Sequence, residues 1–222
     1  HHGGLSLRKR LLIVAAVALL CALWFYIKLD VSSIAVPFLG TLELGVLFIP
    51  FFVFVAIAMY AGGTIDGIDG LAGGIFAAMF AAYAGIAYFQ SQIDLAAFCA
   101  AMTGGLLAFL WFNIPPARFY LSETGTMGLT LSLTLVAFLA DTLGEGIGVL
   151  VLPIVALPLV ATVLSTVLQI TWKKFFKRKL FAIAPLHHHF EAIGWPNYKV
   201  TMRYWVVSVM CAIVGLTIAL VG

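Results

Sequence analysis

An all-α integral membrane protein, a polytopic bundle of about seven transmembrane helices, is the fold class this sequence predicts. Three observations carry that reading. Of the 222 residues, 64% are hydrophobic and only 9% are charged, whereas a soluble domain carries about 25% charged residues. The apolar residues collect in seven runs, at 11–28, 44–61, 70–89, 95–112, 127–140, 147–172 and 203–221, each near the ~20 residues that a bilayer crossing needs. Finally, the lysines and arginines are distributed very unevenly between the connections that join these runs.

In chain order, the first run follows Arg8-Lys9-Arg10. It is too long for the apolar core of a secretion signal and has no clear cleavage site. The second to fifth runs are separated by short connections containing Gly, Pro, Asp and Asn, the residues that favour turns. Helices are the expected conformation throughout, because a helix satisfies its own backbone in lipid and the runs are too long for barrel strands. Pro153 and Pro158 fall inside the sixth run and predict a kink there. Cys21, Cys99 and Cys211 each stand alone in an apolar run, which argues against a disulfide or a paired-cysteine metal site. No internal repeat is visible, and residues 1–222 read as one transmembrane domain.

The charge asymmetry orients the bundle. With Arg8-Lys9-Arg10 on the cytoplasmic side, alternation puts 62–69, 113–126 and 173–202 there too. Eleven basic residues then lie inside (Arg8, Lys9, Arg10, Arg118, Lys173, Lys174, Lys177, Arg178, Lys179, Lys199 and Arg203) and only Lys28 lies outside, as the positive-inside rule requires. Asp30, Glu43, Asp94, Asp141 and Glu145 fall on the opposite face and read as a solvated rim. Asp66, Asp69, Glu123 and Glu191 gather with three histidines on the inner face, a grouping suited to an anionic substrate.

Three segments could carry chemistry. In Gly62–Gly74, Asp66 and Asp69 stand three residues apart and would share a face if that segment were helical; the glycines beside them would let a ligand approach the backbone. A plain Gly/Asp turn between two helices accounts for the same residues. In 113–126, Asn113, Arg118, Tyr120 and Glu123 offer an amide, a cation, an aromatic ring and a carboxylate, and Ser122 or Thr124 could cap the next helix. A Pro-stiffened turn with Glu123 as a first-turn charge is the alternative. The third is the loop Ala184-Pro185-Leu186-His187-His188-His189-Phe190-Glu191. Three successive histidines do not share a helix face, which speaks against a three-imidazole zinc site. One or two of them are better suited to donating to phosphate or moving a proton. A basic, headgroup-facing loop is the competing reading, and it accounts well for Lys173–Lys179. Taken together, carboxylates, bases and imidazoles at one interface suggest phosphoryl transfer: Mg²⁺ binds one or two carboxylates plus substrate phosphates, and joining two phosphates requires their charge to be neutralised.

The motifs APLHHHFE (184–191) and GWPNYKVTMRYW (194–205), with DGIDGLAGG (66–74) and NIPPARFYLSETGT (113–126), resemble the polyprenyl-phosphate N-acetylhexosamine-1-phosphate transferase superfamily over nearly the whole chain. The histidine loop and the segment after it resemble the branch that makes the first lipid intermediate of peptidoglycan. The resemblance implies transfer of phospho-N-acetylmuramoyl-pentapeptide from its UDP-linked donor to undecaprenyl phosphate with release of UMP. It further implies Mg²⁺ as cofactor, a homodimer in the bacterial cytoplasmic membrane with its site facing the cytoplasm, and no nucleic-acid partner.

Residue by residue, the resemblance makes Asp66, Asp69, Glu123, His187 and His188 catalytic, with Glu123 at a metal-associated position. Gly67, Ile68 and Asp69 match a uridine-pocket segment, and Asn113 and Tyr120 match nucleoside-contacting positions. Gln169, Ala184, His188 and His189 join the substrate-binding set. There are three departures. Gly63 stands where the family has Asn, and Glu123 where it has Asp, which moves the carboxylate by roughly one C–C bond, about 1.5 Å. An adjacent aspartate pair followed by Lys, which precedes a Gly-Leu-Ser segment in the family, is absent upstream of Gly4-Leu5-Ser6. The family has ten membrane helices, so the chain reads as a fragment lacking the first three and is expected to be inactive alone. A relative using another UDP-linked N-acetylhexosamine, or a non-catalytic membrane paralogue, are the alternatives.

Overall fold

The computed structural model describes residues 6–143 and 146–222; Glu145, assigned above to the outer rim, and Gly4-Leu5 lie outside the described residues. The elements run α1 (Leu7–Lys28), β1 (Ser33–Val36), β2 (Gly40–Glu43), α2 (Phe48–Gly62), α3 (Leu71–Phe89), α4 (Ile93–Asn113), α5 (Ser122–Leu143), α6 (Leu152–Val155), α7 (Leu157–Phe176), α8 (Leu186–Ala192) and α9 (Asn197–Val221). The expected all-α membrane bundle is what forms. Among the described residues, six helical segments are long and apolar enough to cross a bilayer: α1, 45–65 around α2, α3, α4, α5 and α9.

The expected seventh crossing, 147–172, is not a single helix. It divides into α6 and α7 at Ala156, with Pro153 and Pro158 each in the first turn of its own helix. Proline lacks the N–H that a helix interior needs but loses nothing in a first turn, where that N–H is unsatisfied anyway. Two prolines five residues apart therefore start two helices instead of kinking one. Residues 30–43 also differ from expectation: β1 and β2 pair antiparallel, Ser33 opposite Glu43 and Val36 opposite Gly40.

The central helix is α3, with 12 of its 19 residues buried. It packs between α4 and α9, and its small residues set the spacing, as in other membrane helix contacts. Gly74 lies under the indole of Trp205, where an added Cβ would sit 2.1 Å from Nε1. By contrast α9 buries only one stripe, Val200, Thr201, Tyr204, Ser208, Ala212 and Gly215. Trp205, Leu216, Ile218 and Ala219 flank that stripe and are partly buried, while Met202, Val206, Val209, Met210, Ile213 and Val214 are exposed, as expected of a helix facing lipid on one side. A second cluster joins α1, α2 and α5 through Phe25, Phe48, Phe52 and Phe138; the Phe52 and Phe138 rings are 4.3 Å apart.

The bundle has two chemically distinct ends. At one end Asp141 of α5, expected on a solvated rim, is partly buried instead. Its carboxylate accepts N–H bonds from Ala35 (2.9 Å), Val149 (2.8 Å) and Gly148. Tyr83 of α3 donates to the Gly148 carbonyl at 2.8 Å. Thus one carboxylate ties the hairpin, α5 and the start of the 147–151 turn to the central helix. Residues 62–70, 113–122 and 186–191 meet at the other end.

Candidate active site

The chain leaves α2 through a 3₁₀ turn at Gly63–Ile65, and Asp66 (φ −76°, ψ 60°) ends it. Gly70 (φ +75°) then starts α3 from the left-handed region, which glycine reaches without Cβ strain. Asp66 and Asp69 therefore do not share a helix face, as a helical reading of their spacing would have it. Both are nevertheless turned toward 113–122. The Asp69 carboxylate accepts the Ala117 N–H at 3.1 Å, and Asp66 faces the Ser122 backbone N–H. Burial pushes the Asp66 carboxyl above the usual carboxylate range and the nearby Asp69 charge adds to this, while the Ser122 N–H acts in the opposite direction.

The 66–70 turn is tied down from two sides. Asn113 is buried; its Oδ1 accepts the Gly70 N–H at 3.0 Å and its Nδ2 donates to the Phe119 carbonyl at 2.9 Å. From α9, the Thr201 hydroxyl donates to the Asp69 carbonyl at 3.2 Å and Trp205 Nε1 to the Gly70 carbonyl at 3.0 Å. Both ends of the Asn113 amide are thus spent on backbone. Ile68 is likewise buried, whereas Gly67 and Tyr120 are exposed.

Next, α5 begins five residues earlier than the apolar run suggested. Ser122 and Thr124 are inside it, so neither is the residue preceding the helix, and no side-chain capping bond from either forms among the described residues. Ser122 has φ +61°, a conformation that costs a non-glycine residue of order 1 kcal/mol or more and that clusters at functional sites. Here it belongs to the residue whose N–H faces Asp66. Glu123, in the first helical turn, is exposed and ion-paired with Arg10 of α1. Asp66, Tyr120, Ser122, Glu123 and Arg10 share the wall of a cavity of about 920 Å³, closed on a further side by Thr166 of α7 and by Pro185. Gly63 lies against α5: a Cβ there would sit 3.2 Å from the Cβ of Thr126, so a side chain at this departure from the family pattern would require α5 to shift.

The histidine segment, expected as a loop, is the helix α8, and its three imidazoles point three ways. His187 is fully buried with neither ring nitrogen hydrogen-bonded among the described residues. His188 Nδ1 meets Glu191 Oε2 at 2.5 Å. His189 Nδ1 accepts the Ala182 N–H at 3.2 Å. A Cβ on Gly67 would lie 2.8 Å from Nε2 of both His187 and His188, so the absence of a side chain at Gly67 is what lets α8 seat on the aspartate turn. Gly67→Ala is expected to displace α8 and destabilise the fold by about 1–3 kcal/mol, read as a lower Tm in detergent; an unchanged Tm would contradict this packing. Gln169 holds the approach to α8, its Oε1 accepting the Leu180 and Phe181 N–H groups (3.0 and 2.9 Å) and its Nε2 donating to the Phe181 carbonyl (2.9 Å). Ala184, partly buried, directly precedes cavity-lining Pro185.

Burial, reinforced by the neighbouring His188, lowers the His187 pKa to about 4. Its ordinary value is about 6.5. The unfolded chain therefore takes up this proton first as pH falls. The stability contributed by the neutral ring is complete above pH 6.5 and is lost progressively toward pH 4, amounting to about 3 kcal/mol at most. The parent Tm should consequently fall more steeply from pH 7 to 4.5 than that of His187→Phe; parallel curves would contradict the assignment.

The structure therefore brings Asp66, Gly67, Asp69, Asn113, Tyr120, Glu123, His187 and His188 to one end, with Gln169, Ala184 and His189 holding the flank. The sequence reading missed three parts. Arg10 appeared only as an orientation charge, Glu191 only as one acid among several, and Thr201 and Trp205 only inside a motif. Among the described residues no three His, Cys, Asp or Glu side chains converge as a metal cage. Two carboxylates on one cavity wall, Asp66 and Glu123, do fit a magnesium site completed by substrate phosphates.

The described residues thus form a multi-pass membrane bundle with two carboxylates, a cation and imidazoles gathered at one end. Residues 2–141 match the family described as Glycosyl transferase family 4, and the chain belongs to that family. It is 34% identical over 215 residues to the phospho-N-acetylmuramoyl-pentapeptide-transferase of Caldanaerobacter subterraneus subsp. tengcongensis, covering 96% of this chain and 66% of that protein. It is 36% identical over 235 residues to the protein of that name from Dichelobacter nodosus, covering 96% and 64%. The corresponding protein of Rubrobacter xylanophilus is 33% identical over 217 residues, covering 94% and 64%. The chain thus spans just under two thirds of the length of these relatives. The family match ends at Asp141, so α6–α9 and the histidines rest on the likeness to the relatives.

Proposed function

We propose that this chain carries the histidine-bearing part of a phosphoglycosyl transferase that moves phospho-N-acetylmuramoyl-pentapeptide from UDP onto undecaprenyl phosphate. The observation that carries the reading is the meeting of the 66–70, 113–123 and 186–191 segments around one polar end of a membrane bundle. The names of the relatives support the choice of donor over other UDP-linked sugars. In the reaction, an oxygen of the lipid phosphate bonds to the sugar-bearing phosphorus of the donor. The bond from that phosphorus to the UMP oxygen breaks, and UMP leaves with the electron pair.

The residues have separable parts in this scheme. Asp66 and Glu123 are the groups that would hold Mg²⁺, which when bound neutralises phosphate charge. Arg10 supplies a cation on the same wall, balancing Glu123 before substrate arrives. Glu191 accepts from the Nδ1–H of His188, which leaves Nε2 directed at the Gly67 turn, where it can hold a phosphate oxygen or a proton. Asn113, Thr201 and Trp205 keep the turn rigid, as a preorganised site requires. The tilt of lysines and arginines toward this end supports an orientation facing the cytoplasm of a bacterial inner membrane, where a nucleotide-linked donor is made. The homodimer implied by the family resemblance is part of the same proposal.

The test uses the chain joined to the upstream segment that its relatives carry, reconstituted with undecaprenyl phosphate. Magnesium-dependent UMP release from UDP-N-acetylmuramoyl-pentapeptide, well above that from UDP-N-acetylglucosamine, is the expected result. Preference for the latter would reassign the donor, and binding without turnover would make the protein a non-catalytic relative.

A further inference from the structure

A second cavity, of about 320 Å³, lies between α7, α8 and α9 and shares no lining residue with the polar one. Leu157 and Ala161 of α7, Phe190 of α8 and Val207 of α9 form apolar walls. Its volume is at the lower end of the range for ligand pockets, about 300–1,000 Å³. Its cationic rim makes it more than a groove for solvating lipid. Tyr204 lines it and is only 9% exposed, and its hydroxyl has no hydrogen-bond partner among the described residues. That hydroxyl is shielded from the cavity, so Tyr204 gives its ring to the apolar wall. At the rim, Trp195 stacks on Phe190 with ring centroids 4.8 Å apart. It also carries two cations, Lys199 Nζ at 4.8 Å and Arg203 Cζ at 4.3 Å from its ring centroid. Neither cation is ion-paired among the described residues. Two like charges over one indole repel each other, and an anion between them removes that repulsion.

We propose that this cavity is a site for an anionic bilayer phospholipid: one acyl chain between α7 and α9 and the phosphate on Lys199 and Arg203. The position in the fold favours this occupant. Lys199 and Arg203 lie in the first two turns of α9, a helix able to cross the bilayer, where long basic side chains reach the headgroup layer and attract anionic lipids. An isoprenoid phosphate acting as acceptor has to present its phosphate to the Asp66 and Glu123 cavity, which has different walls.

Trp195 provides the readout. The chain is placed in nanodiscs of phosphatidylcholine containing either brominated-acyl phosphatidylglycerol or brominated-acyl phosphatidylcholine at equal fraction, and tryptophan quenching is compared. Excess quenching by the phosphatidylglycerol is expected. It should disappear in Trp195→Phe, fall to the phosphatidylcholine level in the Lys199→Gln/Arg203→Gln double variant, and fall in Ala161→Phe, which fills the cavity but keeps both cations. Circular dichroism and gel filtration verify that each variant is folded. Equal quenching by the two lipids, or an excess surviving either the charge or the cavity substitution, would overturn the proposal. Loss of the excess on adding non-brominated undecaprenyl phosphate would also overturn it, assigning the cavity to the isoprenoid.

Discussion

Asp69→Ala is expected to lower UMP release by about 10²–10³-fold, the typical cost of removing one preorganised group from a site that stabilises developing charge. The measurement uses the chain joined to the upstream segment of its relatives. The same substitution has a structural cost that must be separated from the catalytic one. The Asp69 carboxylate accepts the Ala117 N–H at 3.1 Å, and a partly buried donor left without an acceptor costs about 1–3 kcal/mol, or a Tm lower by several degrees in a chain of this size. Asp69→Asn separates the two effects: it keeps an oxygen for Ala117 but removes the charge. It should restore the Tm without restoring turnover. Full turnover in Asp69→Asn would remove the charge from the mechanism and leave Asp69 as a strut between two segments.

The largest expected loss of stability is at the opposite end. Asp141→Ala removes the acceptor for three backbone N–H groups, those of Ala35, Gly148 and Val149. At about 1–3 kcal/mol for each orphaned donor, the total should reach at least about 3 kcal/mol, beyond what most single substitutions cost. The 147–151 turn also loses its register on Tyr83, whose hydroxyl bonds the Gly148 carbonyl. Asp141→Asn should fall between, because its amide NH₂ would face a backbone donor at one of the three positions. Thermal unfolding in detergent measures both. A Tm for Asp141→Ala within a degree of the parent would show that water or lipid replaces the carboxylate at no cost.

Periodicity and apolar run length made most of the bundle legible in the sequence. The crossings at 70–89 and 95–112 correspond closely to α3 and α4, because nothing within them competes with the helix. Where local chemistry does compete, the apolar pattern misled. Pro153 and Pro158 each satisfied a helix start, so a 26-residue run became two helices. The β1–β2 hairpin is only four residues per strand, too short to stand out beside long apolar runs. Asp141 read as rim because a lone acid at a helix end is usually hydrated; one of the amides it accepts, Ala35, is 106 residues away, and the other two belong to the turn that follows α5, whose fold-back the apolar pattern does not show.

The site shows the same division. Residue types identified the three polar segments that meet, since a membrane protein has few reasons to keep carboxylates and imidazoles in short connections. Composition does not reveal how a polar side chain is used. Asn113 and Gln169 spend their amides on backbone partners, and Arg10 reaches Glu123 across more than a hundred residues. The Glu191–His188 contact was in principle readable, because an i, i+3 pair meets on any helix; it was missed because the segment was read as a loop.

The central claim is that the aspartate, glutamate and histidine segments meet at one water boundary and together grip a nucleotide-linked donor. Single cysteines at Thr64, Arg118 and Ala182, all exposed and flanking the three segments, test it in a background where Cys21, Cys99 and Cys211 are replaced. A membrane-impermeant maleimide is applied to vesicles of each orientation, with and without UDP-N-acetylmuramoyl-pentapeptide and magnesium. All three cysteines are expected to react from the same, cytoplasmic, face and to be protected together when the donor binds. Labelling of any one from the opposite face, or protection of one without the others, would contradict a shared site.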